Sequence, residues 1–454
     1  MKRVYSICLV VLLLFLSGCE TQPDFWGTER GEGLTVPDTL GESENILYTV
    51  IPGRPNIMVN QVGYRPESKK TAIFRGQLAA DAVEFRIIDS RTQKAVFTGR
   101  TEGKGQDPDT GDYISYGQFT EVNTEGDYYV EADGIGRSCI FRIGKDIYGE
   151  VFRKTYHTLE AGAEANGIQE NCYVLANLLT AYELYTQICT YELTQNREEI
   201  PQPLVFARVQ VEKMAAGQDD VSGAIGGDAT KSAAFAGVAG QLSRLYRAYD
   251  KNYAEQCRKT AEKAWKYAER GKAEKDELYY ASAQLFRLTG NEQYHQAVKS
   301  YLNQKESIPK GIQDMEIYGD VTYLMTEKNV DVELCKFRMD KLMDEVEAIA
   351  SQSHEDLYQT VGAAAEGNMD GMLREMVRLA VVDYVITNHE YATVMENHLH
   401  YLLGRNPQAS SYLGGFGTYS QAGRKQDILK SPERSAELLF MMSAVMNHAM
   451  DGQQ

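Results

Sequence analysis

Carboxylates at turns and helix starts are the residues of this chain best placed to move protons. Glu433 follows Pro432 at the head of an apolar, helix-periodic run, where a helix macrodipole would equally favour a negative charge. Asp219, Asp220 and Asp228 bracket the glycine-rich stretch Asp219-Asp-Val-Ser-Gly-Ala-Ile-Gly-Gly-Asp228, and Asp228 also suits the N-cap of the run that follows. Glu170 reads as a solvated helix-start residue or as a further carboxylate. General acid–base chemistry needs two such groups in unlike environments, one ionised and one protonated. His398 and His400 are two residues apart on a helix, so they point to different faces and do not form a metal pair. Cys139, Cys172, Cys189, Cys257 and Cys335 are scattered, without zinc-like spacing, and read as buried apolar filler with at most one chance disulfide. No metal or cofactor is expected.

Residues 398–417 carry the most specific wording. Leu399, Leu402 and Leu403 form an apolar helical stripe, Gly404 suits a left-handed cap, and Pro407 forbids further helix. Gly414, Gly415 and Gly417 surround Phe416, so the loop either merely connects or lets a ligand approach the backbone closely. The run Tyr401-Leu-Leu-Gly-Arg-Asn-Pro407, with Ser411-Tyr412 and Gly415-Phe-Gly417, resembles the C-terminal signature of glycoside hydrolase family 9. Members are mostly cellulases and related β-glucanases built on an (α/α)6 barrel. Ala248-Tyr-Asp250 with Tyr253, and Asp276-Glu-Leu-Tyr-Tyr-Ala281 with Leu285, Thr289-Gly290 and Tyr294, are similar to further segments of that family. Val59-Asn-Gln-Val-Gly-Tyr-Arg-Pro66 and Phe141-Arg-Ile-Gly144 look like the Ig-like module that precedes some of its catalytic domains. The likeness runs from about Asn56 to Gly417, with gaps.

The resemblance implies inverting hydrolysis, which sets two carboxyl groups roughly 6.5–9.5 Å apart around the scissile bond. The family draws its base from an Asp-Ala-Gly-Asp motif ahead of a helix whose closing phrase here is Leu178-Leu-Thr-Ala-Tyr-Glu183. The preceding Ala165–Tyr173 contains no aspartate. The family's Pro-His-His-Arg segment should follow Gly417, and no histidine stands there. Glu433 is the nearest match to the family's acid, and Asp220 and Asp228 echo the base wording later in the chain. Arg405, Tyr412 and Phe416 are the candidate sugar contacts on the signature loop. Two functions follow. One is a catalytically degenerate relative that binds a β-glucan or related plant polysaccharide, or a partner protein. The alternative is an active inverting endo-β-1,4-glucanase with Glu433 as acid and a relocated aspartate as base. A purely structural lipoprotein is a third class.

The elements that must position these residues divide the 454-residue chain into blocks. Net charge is −17, so a nucleic-acid partner is not expected. Lys2 and Arg3 precede an apolar run from Val4 to Leu16 that is too short for a comfortable membrane span and has the layout of a signal peptide. Leu16-Ser-Gly-Cys19 resembles a bacterial lipobox, implying cleavage before Cys19, lipid attachment there, and a place in the cell envelope, on the outer membrane; an ordinary secretory signal is the alternative. Residues 20–55 read as a tether. Residues 56–145 hold short β-branched runs split by turns at Gly126-Asp127 and Asp133-Gly134, which predicts an Ig-like β-sandwich. Residues 146–454 hold about eleven amphipathic helices and little strand signal, which predicts an all-α domain of α-hairpins, a shortened (α/α)6 barrel.

Overall fold

The computed structural model describes residues 53–193, 200–303, 315–361, 368–386 and 388–451. The leader, Cys19 and nearly all of the tether lie outside the described residues.

Ten strands build the first domain: β1 (Ile57–Met58), β2 (Gly63–Tyr64), β3 (Thr71–Arg75), β4 (Glu84–Asp89), β5 (Ala95–Arg100), β6 (Glu102–Gln106), β7 (Tyr113–Gln118), β8 (Gly126–Ala132), β9 (Gly136–Arg137) and β10 (Phe141–Ile143). One sheet runs β1-β3-β7-β6 and the other β2-β10-β8-β4-β5, with β9 pairing β8; β10 and β2 are parallel. Phe74, Phe85, Phe119 and Phe141 pack with Tyr64 in an apolar core of this domain. Gly126-Asp127 is not a turn. Gly126 opens β8 and pairs with Ile143, while Asp133-Gly134 does turn the chain, Gly134 taking φ +79°. Strand β6 (Glu-Gly-Lys-Gly-Gln) is exposed at every residue and has no apolar alternation to betray it.

The second domain comprises α1 (Gly149–Gly162), α2 (Ile168–Leu184), α3 (Thr186–Leu193), α4 (Gln202–Ala215), α5 (Ala229–Tyr246), α6 (Lys251–Arg270), α7 (Lys275–Thr289), α8 (Glu292–Leu302), α9 (Glu316–Leu324), α10 (Val332–Glu355), α11 (Met369–Ile386), α12 (His389–Leu402) and α13 (Pro432–Asp451). Helices α2, α5, α7, α9, α11 and α13 touch in that order, and α13 returns to α2, closing a ring. The outer layer is α1, α4, α6, α8, α10 and α12, each joined to the inner helix that follows it, giving six α-hairpins with α3 as an extra piece. Pattern and position agree. Outer α6 buries Tyr253, Cys257, Ala261, Ala264, Trp265 and Ala268 at helical spacing, whereas inner α5 is buried at every residue from Ser232 to Ser243. Side-chain caps start many helices: Asp228, Asp250, Asn291, Asp331 and Asn388 each accept a backbone N–H of the first turn. Tyr173, Tyr280 and Tyr318, from α2, α7 and α9, meet edge to face near the ring axis with centroids about 6 Å apart, so the barrel centre is packed.

The two domains share a polar, buried joint. Arg65 donates to Glu396 at 3.0 Å and to the Val445 carbonyl, and Ser68 also donates to Glu396. Asn60 meets His400 Nδ1 at 3.0 Å, and the Gln61 side chain donates to the Ala409 carbonyl and accepts from Tyr419 N–H. Gly404, at φ +122°, lies so close to Gln61 that a Cβ there would stand 2.7 Å from the Gln61 amide nitrogen.

Candidate active site

A cleft of about 420 Å³ opens where α11 and α13 begin, lined by side chains from both, by Tyr173 of α2 and by the loop from Lys425 to Ser431. Pro432 at the first turn of α13 and Ser431, whose hydroxyl accepts the Arg434 N–H, fix the start of that helix. This brings Glu433 to the cleft. Its Oε1 accepts from the Asn166 amide at 2.9 Å and its Oε2 from the Ser431 hydroxyl at 2.6 Å. Asn166 stands in the α1–α2 turn, the place in chain order where the resemblance leads one to look for the base.

One helical turn beyond Glu433, Glu437 forms the buried floor. Burial pushes its carboxyl up to about 8, so it is protonated at neutral pH, and the Tyr173 hydroxyl lies 2.5 Å from Oε1. Asp370 is held by Arg434 in a two-pronged ion pair, 2.5 Å from Nε and 3.2 Å from Nη2. Asp427 turns both oxygens to backbone N–H groups, of Gly414 and Leu429 on one and Gly423 on the other. Arg374, Lys425 and Lys430 complete the charged lining. Glu433 and Glu437 thus differ in setting, as acid–base chemistry requires, but each carboxyl group in the lining already has a partner within the protein.

The other sequence candidates lie elsewhere. Asp228 caps α5 through Lys231 N–H at 2.8 Å, and Asp220 is fully exposed, 4.0 Å from Lys263; neither lines the cleft. Arg405 has no exposed surface and donates to Asn397, so no ligand reaches it in this conformation. Tyr412 is buried and stacked on Tyr401, and Phe416 packs half-buried against the barrel core. The signature loop therefore serves the domain joint, and it meets the cleft's Lys425–Ser431 loop through the Gly414 N–H on Asp427 and the Tyr412 carbonyl, which accepts the Ile428 N–H. His398 and His400 are both buried and have separate partners, the Val361 N–H and Asn60; burial pulls them down to about 4 and about 3, so both are neutral. Cys139, Cys172, Cys189, Cys257 and Cys335 are free thiols, four of them buried, and no group of three or more metal-ligating side chains occurs among the described residues.

Glu437 escapes sequence reasoning, although a glutamate embedded in Ala436-Glu-Leu-Leu-Phe440 and four residues after Glu433 carries the signal of an inward-facing acid. Glu277, at the start of α7, lies in the Asp276–Ala281 segment that carries a family likeness, but nothing in its wording marks a buried acid. Burial pushes it up to about 7, and Gln169 donates to it at 2.8 Å.

Comparison with known proteins agrees with this architecture. Residues 53–137 match the family model described as "Cellulase N-terminal ig-like domain", and residues 215–434 match "Glycosyl hydrolase family 9". Endoglucanase D of Acetivibrio thermocellus is 21% identical over 92% of this chain and 77% of its own length. Among solved structures, a metagenome-derived glycoside hydrolase family 9 endoglucanase superposes with a TM-score of 0.75 at 17% identity, covering 86% of this chain and 98% of that one. A structure described as Bacteroides ovatus GH9 superposes with a TM-score of 0.74 at 16% identity, covering 87% and 99%. With its Ig-like β-sandwich, its closed ring of six α-hairpins and these matches, the chain carries a cellulase-type N-terminal Ig-like domain and a glycoside hydrolase family 9 domain.

Proposed function

We propose that this protein is a catalytically degenerate family 9 relative, lipid-anchored through Cys19 in a bacterial envelope, that binds a β-glucan or related polysaccharide in the cleft around Glu433. The commitment of Glu433 carries this reading: both its oxygens accept hydrogen bonds from the protein, one of them from an amide, Asn166, in the turn where a base would be sought. An amide cannot take a proton from water at the opposite face of a sugar ring, and binding energy alone does not replace acid–base transfer.

The second reading keeps inverting endo-β-1,4-glucanase activity, with Glu433 as acid and an aspartate as relocated base. Its supporting observation is that Asp370 shares the cleft with Glu433. Reducing-sugar release from a panel of β-glucans and xylans, wild type beside Glu433→Gln, separates the two. No release, with retardation in affinity gels containing the same polymers, is the expected result. Release abolished by the substitution would replace the first reading with the second.

A further inference from the structure

Asn166 and Gly167 form the only Asn-Gly pair in the 454 residues. They stand in the turn between α1 and α2, just ahead of Ile168, the first residue of α2. Gly167 is exposed, takes φ −71° and ψ 173°, and its N–H has no hydrogen-bond partner among the described residues. The Asn166 side-chain amide therefore has beside it a backbone nitrogen that no helix or strand ladder ties down. A glycine at that position has no side chain to block an approach and bends more freely than any other residue. Glu170 occupies the third helical position, from which a side chain can reach back to the residue that caps the helix. Its Oε2 lies against Gly167, where a Cβ built on the glycine would stand 2.4 Å from it. Asn166 is also tied to the cleft, its amide donating to Glu433 at 2.9 Å.

We propose that Asn166 is a self-modification site, at which the Gly167 nitrogen cyclises onto the side-chain amide and converts it to a carboxyl group. The Glu170 carboxylate takes the proton of the Gly167 N–H, and the nitrogen forms a bond to Asn166 Cγ. The Cγ–Nδ2 bond breaks, and the amide nitrogen takes up a proton from solvent and leaves as ammonia. The cyclic imide then adds one water at either of its carbonyls. Opening at one gives aspartate. Opening at the other gives isoaspartate, whose backbone runs through the side-chain carbons. In both products Glu433 loses its amide donor, and the turn beside it gains one negative charge. The chemistry does not depend on what the cleft binds, so it stands or falls apart from the glycan-binding reading.

The test is peptide mapping by mass spectrometry of the full chain aged at pH 8. Asn123 and Asn329 are exposed loop asparagines followed by the β-branched Thr124 and Val330, and they serve as internal references. Conversion at Asn166 is expected to run at least about tenfold faster than at either, and to give both aspartate and isoaspartate. Gly167→Ala keeps an ordinary backbone angle and has only the flexible end of Glu170 to displace, so an unaltered melting temperature is the folding control. It is expected to slow conversion at Asn166 about tenfold. Glu170→Gln leaves the glycine in place and is expected to slow it at least about threefold. Conversion at Asn166 no faster than at the references, aspartate without isoaspartate, or a rate unchanged by Gly167→Ala overturns the proposal. A rate unchanged by Glu170→Gln overturns the proton transfer assigned to that carboxylate.

Discussion

The hydroxyl of Tyr173 lies 2.5 Å from Oε1 of Glu437, and this one contact ties the first inner helix, α2, to the last, α13. It places a carboxyl group in the closing seam of the ring, where burial raises it to about 8 from an ordinary 4.5. Arg374, Arg434 and Asp370 are the other charged groups that act on it. A carboxyl that holds its proton more tightly folded than unfolded favours the fold most at acid pH. That contribution is lost as pH rises from about 4.5 through about 8. Glu437→Gln, which mimics the protonated form, is therefore expected to flatten the fall in stability between pH 5 and pH 9. At pH 9 the gain over wild type should be on the order of 2 kcal/mol, read from urea unfolding. A wild-type stability that is level across this window would contradict the assignment.

Asn166→Asp sets a second carboxylate where an amide now donates to Glu433 at 2.9 Å. The hydrogen bond becomes a like-charge contact. At pH 7 the variant should be less stable by about 1–3 kcal/mol. Near pH 4 the two carboxyls can share a proton and most of that loss should vanish, as urea titrations at the two pH values would reveal. The same variant assayed for sugar release also asks whether an aspartate at position 166 confers hydrolysis.

At the domain joint, burial alone would raise Glu396, but the Arg65 guanidinium and the Ser68 hydroxyl hold it below its ordinary value. Its contribution is present above about 4.5 and is lost as pH falls through the folded value. Glu396→Gln removes the closer charge partner of the buried Arg65 guanidinium, leaving it the half-exposed Glu67 at 3.8 Å, and is expected to cost about 3 kcal/mol at pH 7. Limited proteolysis should then cut first near residues 53–70, as the sandwich loosens from the barrel.

Gly237 lets α5 and α7 approach closely: a Cβ there would stand 2.3 Å from Tyr280 Cδ1. Tyr280 is buried, and its hydroxyl donates to Gln241, so it cannot simply swing away. Gly237→Ala should cost about 1–3 kcal/mol, seen as a lower melting temperature, despite alanine's better helix propensity.

Much of the architecture was legible in the sequence because burial and periodicity go together. Outer helices such as α6 show their stripe, and β3, β4 and β8 show β-branched runs. The elements that escaped lack that contrast. Strand β6 has no apolar residue, and α9, the inner helix of the fourth hairpin, is nine residues long and buried nearly throughout, so it presents no polar face to set its period. The site was legible only in part. Glu433 stood out by its Pro432 neighbour, but Glu437, Tyr173 and Asp370 reach the cleft, and Asn166 reaches Glu433, from three separate places in the chain, and pairing across a ring leaves no local spacing to read. Wording drew attention to Arg405 and Tyr412, whose distinctive surroundings reflect the domain joint instead.

The closure of α13 onto α2 also fixes an order of events during synthesis. Every other inner helix leaves the ribosome before α13, and until it arrives α2 and α11 present apolar flanks with no neighbour. A growing chain must carry five-sixths of a ring with an open seam, the kind of exposed surface on which intermediates associate wrongly. Nascent chains truncated before Pro432 are therefore the ones that should depend most on chaperones.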